Sequence, residues 1–109
     1  MLITTFNILA DTFVRPDTEF MDKWYPTIDF EDLKMKNRFD TLVKYIKGDI
    51  ILLQEVTPHV RRQFRAILDD DYIVLPLSKH KTSDTGNLTI VRRNAFESVT
   101  HKTLYLGDV

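Results

Sequence analysis

Residues 49–56 read DIILLQEV, a run of four apolar side chains that turns polar at Gln54 and Glu55. Successive strand residues point to opposite faces, so an unbroken apolar run needs cover on both of them, as a central strand of a parallel sheet receives. The polar pair marks where that strand leaves the core. Residues 2–9, LITTFNIL, have the same two-sided character, with Asn7 as the polar residue near the end. Between the two, Asp29 is placed to cap a helix starting near Phe30. Leu33, Met35, Phe39, Leu42, Val43 and Ile46 then recur at three- and four-residue steps, and Gly48 supplies a stop. A strand, a helix and a strand joined by a right-handed crossover put both strand ends on one edge of a sheet, the edge where ligands of open α/β sheets bind.

The rest of the chain extends this frame. Thr57 as N-cap and Pro58 in the first helical position launch a second helix, with Val60, Phe64, Ile67 and Leu68 on one face and Arg61, Arg62 and Arg65 on a face expected to be solvated. Residues 72–77, 86–93 and 99–106 are further strand-like runs, and residues 10–28 read as a long ordered loop anchored by Phe13, Phe20, Trp24 and Tyr25. The expected order is β-α-β-α-β-β-β in an α/β fold, with antiparallel pairing where connections become short.

Composition limits what this frame can do. A chain of 109 residues supports one hydrophobic core, and the absence of cysteine excludes disulfides, thiolate metal sites and thiol nucleophiles. Seven Phe, four Tyr and one Trp are too many for a disordered chain, and no apolar run is long enough to span a bilayer, so no membrane partner is expected. The first nine residues carry neither a basic segment nor a small-residue cleavage site, which points to an intracellular protein, in the cytoplasm or the nucleus. Fifteen basic side chains against sixteen acidic ones give no broad positive field. A phosphate ligand then needs a local site or a bound cation.

Asn7 and Glu55 are the residues to examine for such a site. Each is polar near the end of an apolar strand, and an unpaired buried carboxylate is costly. The residues alone leave two readings open: a solvated strand end with a backbone-bonding Asn7, or a functional rim.

The motifs TFNILADTF (residues 5–13), DIILLQEV (49–56) and GNLTIVRR (86–93), in this order and spacing, resemble the endonuclease/exonuclease/phosphatase superfamily of metal-dependent phosphoesterases, nearest to its deadenylase and nocturnin branch. Trp24, Tyr25 and Pro26 in the long loop and Arg38 in the helix are similar to that branch as well. The resemblance implies a four-layer β-sandwich flanked by helices, of which this chain looks like the N-terminal half. It also implies that Glu55 ligates an essential Mg2+, for which Mn2+ can substitute, and that Asn7 helps organise metal and scissile phosphate. Mg2+ prefers hard oxygen ligands and is held by one or two carboxylates with the substrate phosphate, which agrees with that assignment. The family's GDFN-like and SDH-like motifs, which carry the water-activating Asp and His, have no match here. Residues 107–109 begin like the first but lack its aromatic and Asn. Those motifs are expected in a following segment.

His80, between Lys79 and Lys81, Asn87 at a strand start, and Arg92 are weaker substrate-binding candidates; Asp11 reads as an exposed loop acid, and His59 and His101 have no metal-ligand spacing. The expected activity is Mg2+-dependent phosphoester hydrolysis on RNA or DNA. The alternative is a catalytically incomplete α/β binding module. Half a sandwich leaves one sheet face bare, so these residues are also expected to self-associate or to be marginally stable.

Overall fold

The computed structural model describes residues 1–104. It is a mixed α/β unit built on one four-stranded sheet. The strands are β1 (Ile3–Asn7), β2 (Ile50–Val56), β3 (Tyr72–Val74) and β4 (Gly86–Arg92), in spatial order β1-β2-β4-β3. β1 and β2 are parallel, with Asn7 opposite Gln54. β4 runs antiparallel to both of its neighbours, β2 and β3.

Four helices accompany the sheet: α1 (Thr18–Trp24), α2 (Phe30–Leu33), α3 (Met35–Val43) and α4 (Pro58–Leu68). The core lies between one sheet face and α3 and α4. Ile51 and Leu53 of β2 and Leu88 and Ile90 of β4 meet Phe39 and Phe64, whose rings lie 5.0 Å apart at 46°. The other sheet face is only partly covered: Ile3 is 56% and Leu52 38% exposed. This corrects the expectation that β1 and β2 are buried on both faces, because among the described residues the packed helices stand on one side.

Several elements differ from the periodicity for identifiable reasons. The helix expected from Phe30 is broken at Lys34, which is extended (ψ 137°). Side chains capture the groups that would close a continuous helix. Asp11 Oδ1 accepts from Met35 N (2.7 Å), Asn37 Nδ2 donates to Glu31 O (2.7 Å) and Arg38 Nε donates to Leu33 O (2.7 Å). Asp11 is thus the cap of α3 rather than a bare loop acid, while Asp29 makes no side-chain cap bond. After Val43 the chain tightens through bonds from Lys44 N to Thr41 O and from Ile46 N to Val43 O. It then turns at Gly48 (φ +122°), where a Cβ would sit 2.9 Å from Leu2 O.

Within the expected loop 10–28, α1 forms because Asp17 Oδ1 accepts from Phe20 N (2.9 Å), with Glu19 in the first turn and Lys23 in the last. Thr57 and Pro58 open α4 as expected, Thr57 Oγ1 accepting from Val60 N (3.2 Å). β3 is shorter than the run 72–77. Leu75 N still bonds Thr89 O, but Pro76 has no N–H to donate. No strand forms over residues 99–104, where His101 and Thr103 instead reach Ser78 Oγ, at 3.3 and 2.8 Å. The remainder of the expected fifth strand, and residues 107–109, lie outside the described residues. Among the described residues no helix is long and apolar enough to cross a membrane.

Candidate functional site

The C-terminal ends of β1 and β2 share one rim, and both carry an unusual backbone. Leu9 (φ 57°) and Glu55 (φ 60°) are the described non-glycine residues in the left-handed region. Such a conformation costs an ordinary side chain about 1–2 kcal/mol, so something must hold each in place.

For Glu55 it is a bulge. Leu53 pairs with Leu88 and Val56 with Gly86, so β2 takes three steps where β4 takes two. The extra residue re-aims the end of β2 just before Val56 re-enters the core, fully buried. For Leu9 it is a set of side-chain bonds. Asn7 Oδ1 accepts from Leu9 N (2.8 Å), and Arg38 spans the turn, Nη1 donating to Ile8 O (2.7 Å) and Nη2 to Leu9 O (2.6 Å). Burial lowers the Arg38 pKa below the usual arginine range, and the Asp11 carboxylate works against that shift. An arginine still keeps its charge at neutral pH. Arg38 therefore ties the start of α3 to the exit of β1.

An open groove of about 780 Å³ lies over this rim. Gln54 and Glu55 contribute to its lining, as do Phe13 and Trp24 from the β1–α2 connection and Lys79, His80 and Asn87 from the β3–β4 side. Glu55 also borders a smaller hollow of about 170 Å³ together with Asp11, Lys36 and His59. Among the described residues the Glu55 carboxylate has no hydrogen bond and no ion pair, and no group of three His, Asp or Glu is arranged to hold a metal. Asn7 differs: its oxygen is engaged by its own backbone turn, which leaves its two N–H groups as what it offers a ligand.

The wall opposite the aromatics depends on Gly86. Ser78 and Asn87 exchange backbone bonds, each 2.9 Å, which lays Ser78 and Lys79 directly on Gly86. A Cβ there would sit 2.5 Å from Lys79 Cβ and 2.9 Å from its Cα, and closer still to Ser78 O. Gly86→Ala is expected to lower stability by about 1–3 kcal/mol, because the atoms in the way are mostly backbone. A denaturation curve measures it, and an unchanged midpoint refutes the close-approach argument.

The structure brings His80 and Asn87 to the same groove as Glu55, whereas Asn7 pairs with Gln54 on β2 but does not line that groove. Nor does the structure bring Arg92 there. Because β4 is antiparallel, it begins at the rim and ends at the far edge, roughly 20 Å away at about 3.4 Å per residue. There Arg92 Nε meets Asp49 Oδ1 (3.4 Å) and its guanidinium lies over Tyr72 (5.2 Å). Ring anchoring holds for Phe20 and Tyr25, whose centroids are 6.1 Å apart against the Val14–Met21–Leu33 cluster. Phe13 and Trp24 are instead 49% and 60% exposed at the groove. Asp11 and Gln54 enter the surroundings through bonds that join distant segments, for which the local pattern carries no signal. No protein-family model, no curated protein and no solved structure matches this chain.

Proposed function

We propose that this chain carries the cation-binding rim of a Mg2+-dependent phosphoesterase acting on phosphodiester bonds of RNA or DNA. The observation that carries the reading is Glu55: a carboxylate without a partner among the described residues, on a bulge with left-handed backbone, at the lip of an open groove. One carboxylate with few further protein ligands fits Mg2+, which keeps several waters and takes oxygen from the substrate. When bound, the cation supplies charge neutralisation at the phosphoryl oxygens.

The chain's own residues do the rest of the positioning. Glu55 holds the cation, with Mn2+ as a working substitute. The Asn7 N–H groups donate to a phosphate oxygen, while its Oδ1 keeps the β1 turn in shape. Lys79 Nζ donates to Ser83 O (3.0 Å) and so keeps the wall with His80 in place against the groove. The water-orienting Asp and His belong to motifs these 109 residues do not contain. The partly covered sheet face, with Ile3 and Leu52, is the surface for self-association.

A second reading, a non-catalytic binding module, is favoured by the Asn7–Leu9 bond, which accounts for Asn7 without any chemistry. Titration of the isotope-labelled chain with Mn2+ separates the two. Broadening of amide resonances centred on residues 7–9 and 54–56, abolished by Glu55→Gln, is the expected result. Absence of local broadening leaves the module.

A further inference from the structure

The cations of α4 form a charged surface apart from Glu55. A hollow of about 570 Å³ lies between α4 and the chain leaving β3, and its lining includes Arg61, Arg62, Arg65 and Lys79 but no Asp or Glu. This is a local concentration of one sign in a chain whose acids outnumber its bases by sixteen to fifteen. Solvated helix faces carry both signs interspersed, and like charges four residues apart, such as Arg61 and Arg65, repel.

Arg61 is fixed in place. Its Nε and Nη2 donate to Leu75 O (2.9 Å) and Val74 O (3.2 Å), which corrects the expectation of a free helix face. Those bonds use two of its five N–H donors and leave its charge uncancelled. Arg62 and Arg65 are exposed, and among the described residues neither side chain has a hydrogen bond or an ion pair. The neighbouring hollow that they also border contains one acid, Asp69, which is already held by Arg93 Nη2 (3.3 Å).

Lys79 borders both the arginine hollow and the groove over Glu55, so a ligand leaving the groove across Lys79 meets Arg62 and Arg65 next. A guanidinium matches a phosphate through two parallel N–H bonds, and a polymer of phosphodiesters supplies one negative charge per unit. We infer that Arg62 and Arg65 hold the phosphodiester backbone of a nucleic-acid strand that continues from the groove, an inference that takes the phosphodiester chemistry of the groove from the proposed function. A small phosphate ester reaches one of these places but not both.

The test is anisotropy of a fluorescein-labelled oligothymidylate titrated with the chain in EDTA, between about 50 and 200 mM salt. Arg62→Ala/Arg65→Ala is expected to weaken binding about tenfold and to flatten the slope of log K against log salt by about 1.4, the value for two single-strand phosphate contacts. Arg62→Lys/Arg65→Lys is expected to keep the slope and lose only part of the affinity. Binding is read without metal, so a failure of hydrolysis and a failure of this surface are separate results. Wild-type affinity and slope in the double alanine variant overturn the inference. So does competition by poly-L-glutamate that matches unlabelled oligothymidylate, which makes the surface an acidic-peptide dock.

Discussion

Under the proposed function, Glu55→Gln is expected to lower Mg2+-dependent phosphodiester hydrolysis, measured in a protein that joins this chain to the water-orienting Asp and His, by about 10³-fold or more, equivalent to about 4 kcal/mol of transition-state stabilisation. The substitution keeps the shape of the side chain and removes the charge that holds a hard cation. The core should not register it, because the carboxylate has no partner among the described residues to lose. A companion variant separates function from stability. Glu55 sits at φ 60°, a conformation that Asn tolerates better than Glu. Glu55→Asn is therefore expected to leave the unfolding free energy unchanged or raise it by up to about 1 kcal/mol, while activity falls as far as with Gln. Activity that persists in both variants refutes the assignment. A loss of stability in Glu55→Asn equal to that of a core substitution would make Glu55 a structural residue.

Arg38→Ala is expected to destabilise the chain by about 2–4 kcal/mol. Three carbonyls, of Ile8, Leu9 and Leu33, lose a charged donor at once. The damage falls on the turn that holds Leu9 in the left-handed region and on the joint between α2 and α3. Arg38→Lys is expected to recover less than half of the loss, since an ammonium on a flexible stem does not span carbonyls that a planar guanidinium reaches from two sides. Under the proposed function, Arg38→Lys is also expected to lower hydrolysis by displacing Asn7, with little change in substrate affinity. Urea denaturation and steady-state kinetics read the two effects. An Arg38→Ala chain with a wild-type midpoint would mean that the turn is held by the Asn7–Leu9 bond alone.

The parts of this fold that were legible before the structure are those written in local periodicity. The β2 run of residues 50–53, the α4 stripe of Val60 and Phe64 and its Thr57–Pro58 start each rest on residues a few positions apart, whose chemistry acts within one element. The break at Lys34 and the helix α1 show two ways in which such reading fails. At Lys34 the propensity for one continuous helix is overridden by Asp11, whose carboxylate takes the N–H of Met35 from 24 residues away. In α1 the signals were local, Asp17 and Lys23 at the two ends, but a neighbouring pair of prolines and scattered acids outweighed them. Arg92 fails differently, because its residue type suits a phosphate while its distance from Glu55 depends on the direction of β4, which no local pattern records.

An α/β chain without thiol chemistry, with Asn7 and Glu55 as the polar ends of two apolar strands, was written in the order of residues alone. Long-range packing set the antiparallel entry of β4 between β2 and β3, the bulge that gives Glu55 its left-handed backbone, and the bonds by which Arg38 holds the exit of β1 and Asp11 caps α3. The division has one physical cause. Burial periodicity acts between neighbours in the chain, whereas strand direction, register and side-chain capture of backbone groups are settled by which distant segments pack together.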